Sequence, residues 1–315
     1  MMHHKATNAA PLPSLVDTFG SGFRAVNRIL AVLIVPILVD LWLWLGPRLS
    51  VRPLMERLRA FNPAEWDRAW AQMRTVLPDD QPIDLRVVGQ LPIWRRLHIL
   101  GTPLDAVQVV QPATWLIGDL LSLLGMLLLL NLALTFLTAV YLLPLADAVR
   151  GNPTAGGIGK RVLRAWLVML AVIGMVLALF AVVAIPLLAV ALVLMSIVPA
   201  LGSAVVLLVF TAIVWVIFST SFAYDAIVLD GAGPATALLV SVVVVRRYFW
   251  SVVGFFLLQT LMLQGLGVLW SGLISTVPGL LVAIVSSAYI GAGIAAAHLV
   301  FFRDRVPRTA TVSRS

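Results

Sequence analysis

Residues 165–224 read AWLVMLAVIGMVLALFAVVAIPLLAVALVLMSIVPALGSAVVLLVFTAIVWVIFSTSFAY, and none of these sixty residues is Lys, Arg, Asp or Glu. Two further stretches, 120–146 and 248–302, are equally free of charge. Soluble chains carry roughly a quarter charged residues, whereas this chain carries 11 %. A charged side chain at the centre of a bilayer costs about 2.5–3.5 kcal/mol on insertion scales. The sequence therefore predicts an all-α, polytopic integral membrane protein.

Composition excludes several classes of site. The chain has no Cys, which excludes disulfides, thiolate metal sites and cysteine nucleophiles. Its net charge of +8 comes from basic residues that lie mostly at the ends of apolar runs, whereas a nucleic-acid surface needs a basic patch. No zinc-protease helix motif, nucleophile elbow or phosphate-binding loop is present in the sequence. We therefore predict no catalytic residue, no metal, no cofactor and no nucleic-acid partner.

The charge-free runs predict the number of membrane spans. About 20 apolar residues cross the hydrocarbon core of roughly 30 Å. The longest run divides best at Pro199–Gly202, because Pro and Gly together end helices, and Pro186 then lies inside a long helix. The last run divides at Pro278–Gly279. We predict six transmembrane helices, over residues 26–45, 116–145, 165–198, 203–228, 248–274 and 279–302.

Loop charges predict the orientation of these helices. Short cytoplasmic loops are enriched in Lys and Arg, and the basic segments here are residues 1–25, 146–164, 229–247 and 303–315. Both termini are therefore predicted to be cytoplasmic in a bacterial plasma membrane, with residues 229–247 as an interfacial helix. Residues 46–115 form an extracytoplasmic segment, in which nine Arg are nearly balanced by seven acidic residues.

The extracytoplasmic segment has helical features. Residues 52–59 fit a short amphipathic helix, and Asn62–Pro63 resembles a helix start with Asn as the N-cap. Two interpretations remain open. The segment is a small helical cap over the bundle, or it is a docking surface for a partner protein.

Two carboxylates near the outer ends of predicted spans are candidate site residues. Asp40 and Asp119 fall at a similar depth, and ionisable groups inside a membrane are functional candidates by default. Together they would form a proton or cation site, since like charges close together raise one pKa. Alternatively, each carboxylate extends to the membrane surface or pairs with an arginine of the cap such as Arg48.

Three amides in the middle of spans are the other candidates: Asn131, Gln259 and Gln264. Such groups usually hydrogen-bond between helices. The alternative is a polar path through the bundle, lined also by Thr135 and Thr138. His298 is predicted to be packed rather than a metal ligand. Small residues at every fourth position from Ser287 to Ala296 predict close packing of the last helix, within the bundle or at a dimer seam.

Short motifs in the C-terminal third carry a family resemblance. They are Ala226-Ile227-Val228-Leu229-Asp230-Gly231, Gly233-Pro234-Ala235, Arg246-Arg247 with Phe249-Trp250, Ala288-Tyr289-Ile290-Gly291-Ala292-Gly293 and Phe302-Arg303-Asp304-Arg305. Residues 222–305 thereby resemble uncharacterised bacterial six-span proteins, including the YciC-like proteins and the membrane domain attached to some glycerophosphodiester phosphodiesterases. The resemblance implies a six-helix membrane fold. It implies no enzymatic activity, because this sequence contains no phosphodiesterase domain.

The sequence leaves three functional hypotheses open. The first is a non-enzymatic component, either transport-related, lipid-interacting or an assembly scaffold. The second is a small transporter or channel with a polar path through the bundle. The third is a membrane-embedded enzyme acting on lipids, with Asp40 and Asp119 at headgroup level. The expected partners are the lipid bilayer and either a second protein or a further copy of the chain.

Overall fold

The computed structural model describes residues 12–61, 63, 67, 86, 113–151 and 157–312, and helices dominate it. The helices are α1 (Leu15–Asn27), α2 (Ile34–Leu45), α3 (Arg52–Phe61), α4 (Leu120–Arg150), α5 (Ile158–Ile197), α6 (Pro199–Ser219), α7 (Ala223–Asp230), α8 (Pro234–Arg247), α9 (Phe249–Leu273) and α10 (Val277–Val312). A 3-10 turn, Leu30–Leu33, leads into α2, and strands β1 (Arg48–Ser50) and β2 (Thr114–Leu116) pair in parallel.

The described helices are those of a multi-pass membrane protein. Five of them are long and apolar enough to cross a bilayer, or up to six when the bent pair Leu15–Asn27 and Leu30–Leu45 counts as one span. Several arginines gather at one end of the bundle, which we call the arginine end. There Arg303 donates to the carbonyl of Val149 at 2.6 Å and Arg164 donates to that of Gly231 at 3.0 Å.

Helix α10 is the centre of the bundle. Of its most apolar stretch, 67 % of the residues are buried inside the protein, against at most 17 % in the other four long helices. Small side chains allow this, because helices in lipid associate mainly through close contact of their surfaces. A β-carbon on Gly22 of α1 would lie 2.6 Å from the Gly293 oxygen and 2.6 Å from the Ala297 nitrogen. The backbones of α1 and α10 therefore touch, and the small residues of α10 serve packing within the chain.

The N-terminal part of the fold differs from the expected single helix over residues 26–45. Helix α1 ends at Asn27, and the chain turns by 94° before Leu30–Leu45. The bend occurs where Ile29 leaves helical geometry, with φ −141° and ψ 55°. Residues 30–45 reach only about 24 Å as a helix. Residues 15–25, which the sequence assigns to the cytoplasmic N-terminal segment, lie in α1, and Phe19 and Ala25 of this helix are buried in the core.

Helices α5 and α6 form a hairpin of which only the parts nearest the arginine end join the main hydrophobic core. Helix α5 continues through Pro186, as predicted, and the chain breaks at Val198. The predicted turn, Pro199–Gly202, instead forms the start of α6. Gly202 makes the turn at Val198 tight, because a β-carbon there would lie 2.6 Å from the Met195 nitrogen. No described residue of α5 after Val172 joins the main hydrophobic core. The two helices therefore pack on each other over most of their length.

Other helix boundaries shift relative to the predicted spans. Helix α4 begins after Asp119 rather than at residue 116 and continues to Arg150. The predicted span 203–228 is divided between α6 and α7 by a short break at residues 220–222. Helix α9 coincides closely with the predicted span, whereas α10 starts at Val277, before Pro278, and runs on beyond residue 302.

Only part of the expected extracytoplasmic cap lies within the described residues. Helix α3 forms where the amphipathic pattern predicts one. The expected helix start at Asn62 lies outside the described residues. The two strands were not predicted, and they bring together the beginning and the end of this long segment. Arg86 reaches back to the end of α2, donating to the carbonyls of Trp42 and Gly46 at 2.9 Å each.

Candidate functional site

The two candidate carboxylates occupy different environments. Asp40 of α2 is 1 % exposed, and the Ser287 hydroxyl of α10 donates to its Oδ2 at 3.3 Å. Asp119 is exposed and caps α4, accepting from the Ser122 backbone nitrogen at 2.8 Å. The hydrogen bonds from Ser122 lower the pKa of the Asp119 carboxyl. One carboxylate is enclosed between two helices and the other is open to the surroundings, so they do not form one site.

The cation beside Asp119 also differs from the expected Arg48. Arg57 of α3 donates to the carbonyl of Gly118 at 2.6 Å, and its charge contributes to the lowered pKa of Asp119. Asp119 thus serves the start of α4, as an N-cap that satisfies a backbone N–H.

The polar groups on α4 turn back onto their own helix. The Asn131 amide donates to the Leu127 carbonyl at 2.7 Å, and the Thr135 hydroxyl donates to the Asn131 carbonyl at 2.7 Å. Thr138 repeats this pattern with Leu134 at 2.8 Å. These bonds satisfy each hydroxyl without a partner on a second helix.

The two glutamines of α9 occupy different environments. Gln259 contacts the Nε2 atom of His298 at 2.9 Å, which joins α9 to α10 as an interhelical hydrogen bond. Gln264 is exposed on the surface of α9. His298 is 3 % exposed and lies among the rings of Phe222, Phe255 and Phe256. These residues therefore do not continue the polar line of α4 into a path.

A polar pocket lies at the arginine end of the bundle. Its volume is about 290 Å³, and it lies between α4, α5 and α7. Arg150, Arg161 and Arg164 line it together with Asp230. We call it the arginine pocket. Apolar side chains complete its wall: Leu143, Ala165, Val168, Ile227, Val228 and Leu229.

An ion-pair network holds the guanidinium groups of the pocket. Arg161 binds Asp147 with both nitrogens, Nη1 to Oδ2 at 2.9 Å and Nη2 to Oδ1 at 2.7 Å. Arg150 reaches the same carboxylate at 3.1 Å. Paired contacts of this kind are stronger than single ones and fix the plane of the guanidinium. Asp147 therefore orients two arginines from two different helices.

The arginines also cap the C-terminal end of α7. Arg150 donates to the carbonyls of Val228 and Leu229, and Arg164 donates to Gly231. These carbonyls have no partner within a helix at its end, and positive charge is favourable there. Gly231 ends α7 in the left-handed region at φ 63°. The sequence indicates that Asp147, at the inner end of a span, pairs with a nearby arginine, and the structure confirms this pairing. The sequence does not indicate the caps on α7, because contacts between Arg side chains and backbone carbonyls leave no sequence motif.

Comparisons with known proteins add no relative. No protein-family model matches the chain, and no curated protein or solved structure matches it.

Proposed function

We propose that this protein is a non-enzymatic, lipid-interacting component of a bacterial plasma membrane. The observation that carries the proposal is the α5–α6 hairpin. No described residue of α5 after Val172 joins the main hydrophobic core, and the hairpin exposes large apolar side chains on both helices. Leu192 of α5 is 69 % exposed and Leu207 of α6 is 65 % exposed.

The dimensions of the hairpin support contact with acyl chains. A helix of 40 residues is about 60 Å long, whereas the hydrocarbon core is about 30 Å thick. Such a helix must tilt or deform the bilayer around it. Helix α4 also exposes leucines, among them Leu121 and Leu128. Acyl chains cover such side chains without leaving a polar group unsatisfied.

The transporter hypothesis receives less support from the same structure. The Asn131 amide nitrogen and the hydroxyls of Thr135 and Thr138 donate to carbonyls of their own helix, and Gln264 lies on the surface. The enzyme hypothesis needs Asp40 and Asp119 in one cleft, and these side chains lie in separate environments. An assembly scaffold is the remaining alternative, because a protein partner could also cover the hairpin.

Acyl-chain photolabelling distinguishes lipid from a protein partner. Cells producing the protein are fed a diazirine fatty acid and irradiated before the membrane is dissolved. We expect lipid adducts along residues 175–214, including Leu192 and Leu207, because these side chains face outward. Residues 292–302 serve as the internal control, since they are buried and should stay unlabelled. A hairpin that is labelled only after purification and reconstitution would show that a protein covers it, and the lipid proposal would then fail.

The proposal includes six spans with both termini in the cytoplasm. The absence of cysteine from the sequence makes single-cysteine labelling free of background. We expect Ala113→Cys to react with a membrane-impermeant maleimide in intact cells. Ser14→Cys should react only after the membrane is permeabilised, because α1 lies at the arginine end. Both positions are solvent-accessible in the structure. Labelling of both, or of Ser14→Cys alone, in intact cells would contradict this topology.

The resemblance of residues 222–305 to the YciC-like group stays a prediction. It supports the proposal only in that it implies a six-span membrane fold.

A further inference from the structure

The arginine pocket combines positive charge with an apolar wall. The lining contains one carboxylate, that of Asp230, and three guanidinium groups, those of Arg150, Arg161 and Arg164. Asp147 compensates for part of the remaining positive charge. The formal balance therefore stays positive. A volume of about 290 Å³ is near the lower limit of small-molecule sites, about 300 Å³. The pocket is thus large enough for a small anionic group.

Arg164 is the arginine best placed to bind such a group. Arg161 is oriented by Asp147, and Arg150 by Asp147 and the end of α7. Among the described residues, Arg164 donates one hydrogen bond, to the carbonyl of Gly231. A guanidinium carries five N–H donors. Arg164 is exposed and keeps donors that can point into the pocket.

The position of the pocket favours a lipid over a free anion. Arg164 is the last charged residue before the charge-free run, and the next residue, Ala165, already lines the pocket. Leu143, Val168 and Ile227 extend the apolar wall from there. A phosphate near the guanidinium groups would place its glycerol and acyl chains along this wall. Basic pockets between transmembrane helices recognise anionic lipid headgroups in this way.

We infer that the arginine pocket binds the phosphate of an anionic phospholipid in the leaflet at the arginine end. This inference rests on the proposed lipid-interacting function and names its ligand class. Arg164 supplies the main hydrogen bonds to the phosphate, while Arg150 and Arg161 supply the positive field. Asp230 opposes the anion and limits its affinity.

Titration of the delipidated protein with phosphatidylglycerol or phosphatidylcholine, read by native mass spectrometry, tests the site. We expect one phosphatidylglycerol to bind more tightly than any phosphatidylcholine. Arg164→Gln should weaken this binding by about tenfold, which corresponds to the loss of one charge-assisted interaction. Arg246→Gln is the matched control, because Arg246 is exposed on α8 and does not line the pocket. It should bind phosphatidylglycerol like the unaltered protein.

A second variant separates binding from damage to the fold. Asp230→Asn removes the lining carboxylate and should tighten phosphatidylglycerol binding several-fold, a gain that a disturbed fold would not produce. Inorganic phosphate should compete only far above the lipid concentration. Equal binding of the two lipids, equal losses in Arg164→Gln and Arg246→Gln, or displacement by phosphate at the lipid concentration would each overturn the inference. Acyl labelling of the hairpin would persist in those cases, so the two proposals fail separately.

Discussion

Gly22→Ala is expected to detach α1 from the bundle. The new β-carbon would lie 2.6 Å from two backbone atoms of α10, those of Gly293 and Ala297. Backbone atoms cannot rotate away as a side chain can, so α1 must shift as a whole. Overpacking usually costs about 1–3 kcal/mol, and we expect the upper part of that range. The melting temperature in detergent should fall by roughly 5–10 °C.

Two other glycines provide the controls for this experiment. Gly20→Ala lies on the same helix, where the nearest atom would be Arg24 Nη1 at 3.6 Å. It should leave stability unchanged or raise it slightly, because Ala favours helix more than Gly does. Gly293→Ala meets the ring of Phe23 at 2.2 Å, so the added variant Phe23→Ala should rescue it. Gly22→Ala with the stability of Gly20→Ala would show that α1 and α10 are not in close contact.

Asp147→Asn is expected to destabilise the arginine end strongly. The change keeps the shape of the side chain but removes the charge that faces Arg150 and Arg161. Asp147 is 15 % exposed and the two arginines are 24 % and 21 % exposed. Breaking a fully buried pair costs about 3–5 kcal/mol, and partial exposure screens the interaction. We therefore expect a loss of about 2 kcal/mol in detergent unfolding experiments.

A neighbouring ion pair gives the matched control. Asp304 contacts Arg303 at 2.9 Å at the same end of the bundle, but Arg303 is 44 % exposed. Asp304→Asn should cost less than about 1 kcal/mol, as exposed pairs do. The double variant Asp147→Asn with Arg161→Gln should be less destabilised than the sum of the single changes. Additive losses would mean that the contact between Asp147 and Arg161 contributes little.

The sequence predicts the long helices well because charge is so costly in lipid. Each charge-free run contains a long helix, and the turn at Val198 follows from Pro199 and Gly202. The sequence analysis did not predict helix α1, although the sequence contains a helix-start pattern there. Ser14 caps it and Asp17 follows at the third position, a capping-box spacing. The continuous apolar character of the following residues concealed the bend at Ile29.

The sequence predicts single residues of the candidate site but not how they are arranged. Asp40 was a candidate, but its partner Ser287 is 247 positions away in the chain, and no local pattern joins them. The arginine pocket depends on the packing of α4, α5 and α7, which the sequence does not encode in any spacing. The separation of the hairpin from the bundle is equally hidden, because a lipid-facing leucine and a helix-facing leucine are chemically alike in a membrane.

The pairing of β1 with β2 makes the long segment between them a separable insertion. Its entry at Ser50 and its exit at Thr114 belong to neighbouring strands, which lie about 4.8 Å apart. A parallel connection requires a dozen or more residues, so a different module of that size or larger could be grafted between the same two points. Such an exchange would remove the contacts that the described part of this segment makes with the membrane helices: the cap that Arg86 provides to α2, the hydrogen bond from Arg57 to Gly118 ahead of α4, and the packing of Met55 near Leu123. Evolution or engineering could thus replace the segment between β1 and β2 without redesigning the membrane helices.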